Sequence, residues 1–211
     1  MNISLKEYIN NIISSLEDNL EVRTSSLMSV SKYIRKKSIN KNKVNLVFIC
    51  THNSRRSQLA QVWAYVASRY YKLDYIVTFS GGTEVSKFNL NAISSLKRAG
   101  LEVKKFNNQK PFFYLVKSSK KDLGLKCFSK KYNSDWNPKN NFISIITCSK
   151  ADKECPSVVG ADKKVFIPYK DPKFSDGSDL KKAIYDQCCF IIAQEMFYIM
   201  KNVKKLFKTC S

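Results

Sequence analysis

An uninterrupted apolar run ending on a cysteine, then a short polar loop and an arginine, constrains this chain more than any other feature. Residues 44–57 read Val-Asn-Leu-Val-Phe-Ile-Cys-Thr-His-Asn-Ser-Arg-Arg-Ser. The run 46–49 is short and rich in branched residues, as a fully buried parallel strand requires. Residues 58–68 predict a helix, because Leu59, Val62, Trp63 and Val66 recur at three- and four-residue spacing. The loop between strand and helix therefore ends at a helix N-terminus, where backbone N–H groups and the dipole favour an anion. The same field favours a thiolate at Cys50. Arg56 offers a fork that can grip two oxygens of a tetrahedral anion, and Ser57 is expected to hydrogen-bond the sulfur. The pattern is an oxyanion trap built around a nucleophilic thiol.

Further along, residues 75–79 predict a second strand, followed by Ser80-Gly81-Gly82-Thr83. Residues 91–99 read as a helix with Ala92, Ile93 and Leu96 inward and Gly100 as its stop. Two more strands are expected over 142–147 and 164–167. A closing helix over 178–207 takes Ser178 as its N-cap and Leu180, Ile184, Ile191, Ile192, Met196, Ile199 and Val203 as its apolar stripe. Strands alternating with helices predict an α/β fold: three layers, a four-stranded parallel sheet with helices on both faces, and a site at the carboxyl ends of the strands. Cys50, Ser80, Cys148 and Asp171 each follow a predicted strand and are expected to converge on one edge.

Residues 1–40 read as a helical extension ahead of a domain spanning 41–211. Its two helices, over 5–20 and 25–36, carry Ile9, Ile12, Ile13 and Leu16 on one face and Leu27, Val30, Tyr33 and Ile34 on the other's. A helical cap is expected, with a protein-binding arm as the alternative. Residues 102–141 form an insertion, in which 112–116 and 125–128 flank 120–124 as a hairpin.

A chain of 211 residues with 44% hydrophobic residues is long enough to bury a core and falls in the globular class. There is no apolar run of transmembrane length and no signal-peptide h-region near Met1, so a cytoplasmic protein without membrane attachment is expected. The formal charge of +20 would suit nucleic acid. The basic residues are spread over 35–43, 117–131, 163–173 and 201–208, however, with no aromatic-interleaved patch, so specific nucleic-acid binding is not expected. Seven cysteines, at 50, 127, 148, 155, 188, 189 and 210, are odd in number and irregular in spacing, which points to chemistry or core rather than a disulfide framework. Cys188 and Cys189, inside the closing helix, read as filler.

Three motifs in order carry a resemblance: Cys50-Thr51-His52-Asn53-Ser54-Arg55-Arg56-Ser57, then Ser80-Gly81-Gly82-Thr83, then Asp171-Pro172 followed by Asp176-Gly177. Over roughly residues 44 to 207 the chain resembles the low-molecular-weight protein tyrosine phosphatase and thioredoxin-coupled arsenate reductase superfamily. The resemblance implies Cys50 as nucleophile and Asp171 as general acid. It implies an oxyanion cradle of Thr51, His52, Asn53, Ser54, Arg55, Arg56 and Ser57, with Asn53, Ser57 and Ser80 supporting the loop.

The segment Thr147-Cys148-Ser149-Lys150-Ala151-Asp152-Lys153-Glu154-Cys155-Pro156 resembles the reductase branch. There, Cys148 would attack the Cys50 sulfur so that arsenite leaves, and Cys155 would move the disulfide to a Cys148–Cys155 pair that a thioredoxin-like reductant opens. A phosphatase needs none of this, since water releases phosphate from the cysteinyl intermediate. Several positions depart from the family pattern. Arg55 stands where the family often has Cys or Ala, and His52 replaces a frequent Gly and is expected to be structural. Lys173-Phe174 replaces the tyrosine pair that serves aryl substrates. Gln61 stands at the glutamate position of a cation site, so potassium activation is not expected, and no metal or other cofactor is called for. The reading is an arsenate reductase, with a phosphatase acting on phosphotyrosine as the alternative. A module that binds phosphate or another anion without turnover is the third possibility.

Overall fold

Helices α1 (Ile3–Ser14) and α2 (Thr24–Ser38) precede strand β1 (Val44–Cys50), which is buried at six of its seven positions. Only a central strand covered on both faces sustains such a run. In chain order there follow α3 (Arg56–Tyr70), β2 (Ile76–Gly82), α4 (Leu90–Arg98), β3 (Glu102–Phe106), β4 (Phe113–Lys117) and β5 (Leu125–Cys127). The chain closes with β6 (Phe142–Ile146), α5 (Ser149–Glu154), β7 (Ala161–Phe166) and α6 (Lys181–Lys208). The computed structural model describes residues 3–16, 23–39, 43–108, 110–154 and 157–208. Strands β2-β1-β6-β7, in that order, form a parallel four-stranded sheet, the α/β architecture expected from the sequence. In the 102–141 stretch β4 and β5 pair as an antiparallel hairpin, and β3 adds a third strand to it.

Side chains alternate across the sheet and divide the interior. Val44, Leu46 and Phe48 of β1, with Ile143 and Ile145 of β6, face a large core shared with α1, α2, α3, α4 and α6. Val47 and Ile49, with Phe142 and Ile146, face a small cluster closed by Cys50, Cys148, Ala151 of α5 and Val158. The helices are thus unevenly distributed, with one short helix on the second face.

Residues 3–16 and 24–38 belong to the large core through Leu5, Ile9, Ile12, Leu16, Leu27, Val30 and Ile34. The Tyr8 ring stacks on the fully buried Trp63 at 5.3 Å. Gly100 ends α4 at φ +92°, as a C-terminal glycine does, and has a second reason to be glycine: a Cβ there would lie 2.4 Å from the backbone nitrogen of Leu5. The remainder of the first predicted helix, 17–20, lies outside the described residues.

Two expectations change. Helix α6 begins at Lys181, and Ser178 does not cap it: its hydroxyl donates to the Ser175 carbonyl at 2.9 Å, closing a turn around Asp176-Gly177. Of the expected stripe, Ile192, Met196, Ile199 and Val203 are buried and Tyr185 and Cys189 extend that inward face, while Leu180 is 66% and Ile191 36% exposed. Strand β2 runs on to Gly82, because Ser80, Gly81 and Gly82 continue the ladder opposite Phe48, Ile49 and Cys50.

Candidate active site

The loop after β1 is held by three backbone hydrogen bonds from the segment 83–89. Thr83 N–H donates to Cys50 O (3.2 Å), Glu84 N–H to Thr51 O (2.8 Å) and Asn89 N–H to Ser54 O (3.0 Å). The close approach explains the second glycine of Ser80-Gly81-Gly82-Thr83, since a Cβ on Gly82 would sit 2.5 Å from Thr51 O and 2.7 Å from Asn53 N. Asn53 adopts φ +46°, in the left-handed region that Asn tolerates. Its side chain is fully committed: Nδ2 donates to Ser57 Oγ (2.9 Å), while Oδ1 accepts from Lys130 N–H (2.9 Å) and Gln58 Nε2 (3.3 Å).

At the centre, Cys50 Sγ lies 3.1 Å from Ser57 Oγ, and Ser57 is in turn bonded by Asn53. The chain Asn53 to Ser57 to Cys50 fixes the sulfur at the N-terminal end of α3. Arg56, the first residue of that helix, donates from Nη1 to Tyr169 O (3.2 Å) and from Nη2 to Asp171 Oδ2 (2.6 Å). Its buried Nε has no partner among the described residues, a donor free for an oxyanion.

Asp171 arrives from the opposite direction, five residues beyond β7. Pro172–Ser175 forms a short 3-10 turn after it, and Lys173 N–H donates to its Oδ1 at 3.1 Å. Arg55 approaches the same carboxylate from Nε to Oδ1 (2.7 Å) and from Nη2 to Oδ2 (3.2 Å). Burial disfavours the ionised form of Asp171. The Arg55 hydrogen bonds and the charges of Arg56 and Arg55 outweigh it and hold the carboxyl below its ordinary value. The guanidinium of Arg55, expected in the oxyanion cradle, is thus directed at Asp171.

Cys148 follows β6, the strand directly beside β1. Its buried sulfur is 3.4 Å from Thr51 Oγ1 and 3.4 Å from Ala151 N–H. Cys155 lies outside the described residues. Helix α5, between the two cysteines, is tied to the neighbouring loop by polar contacts: Thr83 Oγ1 to Glu154 (2.6 Å) and Lys150 to Glu84 (3.4 Å). His52 pairs with Glu84 at 3.1 Å, away from Cys50, and its carbonyl accepts from Ser86 and Ser129 hydroxyls.

Ser80 is buried one layer below the loop. It donates to Gln61 Oε1 (2.6 Å), whose Nε2 donates to Thr78 O (3.0 Å), so Gln61 joins α3 to β2. Sequence reasoning did not single out Asn137, Glu84 or Lys130. Asn137 donates to Ser80 O (3.1 Å) and Tyr132 O (3.0 Å), pinning the insertion to the sheet edge, and a lone Asn in a polar stretch gives no signal of that. Cys127 and Cys189 are fully buried in the large core. Burial pushes Cys127 up to about 12 and Cys189 up to about 11, and Cys189 accepts from the Trp63 indole at 3.1 Å.

No protein-family model matches the chain. It is similar in sequence to an arsenate reductase of Bacillus cereus (strain 03BB102), 28% identical over 142 residues that cover 67% of this chain and 86% of that protein. It is also similar to an arsenate reductase of Staphylococcus aureus (strain Newman), 26% identical over 140 residues covering 66% and 87%. Among solved structures, the YwlE arginine phosphatase, in a mutant with a phosphorylated active-site serine, superposes with a TM-score of 0.51. It covers 77% of this chain and 97% of its own at 15% identity, a likeness of fold. Fold and relatives together support the low-molecular-weight phosphatase and arsenate reductase superfamily, a class of enzymes. No helix among the described residues is long and apolar enough to cross a membrane.

Proposed function

We propose that this protein is a cytoplasmic arsenate reductase of the low-molecular-weight phosphatase type. Cys50 as thiolate attacks arsenate, forming a sulfur–arsenic bond as an oxygen departs as water. Arg56, through Nε and Nη2, and the loop N–H groups carry the anion's charge. Cys148 then attacks the Cys50 sulfur. A disulfide forms, the sulfur–arsenic bond breaks with its electron pair going to arsenic, and arsenite leaves. Two thiols are oxidised and arsenic is reduced from the pentavalent to the trivalent state. Cys155 displaces Cys50 from Cys148, and a thioredoxin-like dithiol reduces the resulting disulfide.

The observation that carries this reading is the adjacency of the two thiols: Cys148 follows the strand paired with that of Cys50, and its sulfur contacts Thr51, the next residue of the loop. The sequence relatives support it, both being arsenate reductases.

The second reading, a phosphatase, is favoured by the assembly of Cys50, Arg56 and Asp171 in one place, which is what phosphoester cleavage requires. Turnover of arsenate with thioredoxin, set against turnover of an aryl phosphate, separates the two. The reductase reading expects sustained arsenite release that needs the dithiol, whereas hydrolysis of the aryl ester with no arsenite would assign the phosphatase.

A further inference from the structure

The site contains its own competitor for the oxyanion. Asp171 Oδ2, 2.6 Å from Arg56 Nη2, occupies one of the donors that a bound oxyanion needs. A carboxylate resting squarely on Arg56 would oppose every anion entering the loop. The carboxylate, however, is shared. Arg55 reaches both of its oxygens and Lys173 N–H takes one of them, so Asp171 keeps three donors when Arg56 turns to a substrate. Arg55 can do this because its side chain is nearly enclosed, with the residue 8% exposed, and its planar fork meets the carboxylate through two nitrogens.

We infer that Arg55 is a positioning residue that shares the Asp171 carboxylate with Arg56, so that an incoming oxyanion can take Arg56 Nη2 while Asp171 stays anchored, an inference that rests on the oxyanion reading of the loop. Once Asp171 yields Nη2, Arg56 offers Nε and Nη2 to the anion, while its Nη1 stays on Tyr169 O. Charge follows the same logic. Two guanidinium groups and one carboxylate leave a net positive site for the incoming anion, and Arg55 lets Asp171 remain ionised beside it without neutralising Arg56. Arg55 adds no contact to substrate; it keeps Asp171 in place when Arg56 turns to the anion.

The test is a double-mutant cycle read by the binding of inorganic phosphate in calorimetry, which needs no turnover. Arg55→Ala should weaken phosphate binding about 10-fold, the scale of one charge-assisted hydrogen bond. Arg55→Lys should fall nearly as far, because an ammonium keeps the charge but cannot span both oxygens. Asp171→Asn should raise the affinity less in the wild-type background than in the Arg55→Ala background, where it should restore most of the loss. Three results would overturn the inference. Equal gains from Asp171→Asn in both backgrounds would make Arg55 a mere neighbouring charge. No rescue would make it a direct ligand or a loop support, and wild-type affinity in Arg55→Lys would show that charge alone matters. Failure of the wild-type protein itself to bind phosphate would instead remove the oxyanion reading, and this inference with it.

Discussion

The two faces of the sheet differ in almost everything but the strands they share. One face is packed by five helices around Trp63, Phe48, Leu46 and the buried apolar residues within 5–16 and 27–34. The other holds eight buried residues, among them Cys50 and Cys148, the first two thiols of the proposed cascade, under a single six-residue helix tied down chiefly by polar contacts. Exposed ion pairs of that kind contribute little, typically under about 1 kcal/mol each. A segment so held can open at low free energy while the main core stays shut. Thiol exchange needs that arrangement, since Cys148 must face Cys50 first and a second partner later. A hydrolase with no handover would have no use for it.

Four outcomes would break or sharpen the contrast. The largest effect belongs to the shared centre: Cys50→Ser should abolish turnover of arsenate and of aryl phosphate alike, because a serine hydroxyl is not ionised at neutral pH and lacks a base, and steady-state assays of both substrates check this. Next, Asp171→Asn should slow an aryl phosphate with a poor leaving group by roughly 100-fold, and an activated ester less. The wild-type to variant rate ratio should grow as pH falls from neutrality. The sign follows from the lowered value of Asp171: the proton it donates is scarce at neutral pH and gains occupancy on acidification.

The remaining two outcomes compare the faces directly by denaturant unfolding. Trp63→Ala, in the large core, should lose about 3–5 kcal/mol of global stability. Val158→Ala, in the small cluster, should lose about 1–2 kcal/mol, from two buried methyl groups. Its clearer effect should be faster hydrogen exchange confined to residues 148–158. A global loss from Val158→Ala equal to that from Trp63→Ala would end the distinction between the faces.

What the sequence revealed and what it concealed divide along contact distance. The strand, loop and helix around Cys50 were legible because their signals are local: a branched run, a seven-residue spacing to Ser57, an apolar stripe. Parallel order and the placement of Cys148 beside Cys50 followed from strands alternating with helices. The pairing of Arg55 with Asp171 joins positions 116 residues apart, and no periodicity encodes it. Asn137 holds the insertion through one amide and was invisible for the same reason. The start of α6 was misplaced because Ser178 resembles a helix cap, whereas its hydroxyl closes a turn three residues before the helix. Gly82 was recognised as a motif residue, but its cause, the loop backbone lying against it, needs three dimensions.

The central claim is that Cys50 and Cys148 act in one redox sequence, and a single-turnover experiment without external reductant tests it most directly. Fully reduced protein is mixed with arsenate, arsenite and remaining thiols are counted, and the disulfide is located by peptide mapping. The account predicts one arsenite released for every two thiols lost, with Cys148 in the disulfide in the wild-type protein and no arsenite from Cys148→Ser. Intact thiols and no arsenite, from a protein that nevertheless hydrolyses an aryl phosphate, would contradict it.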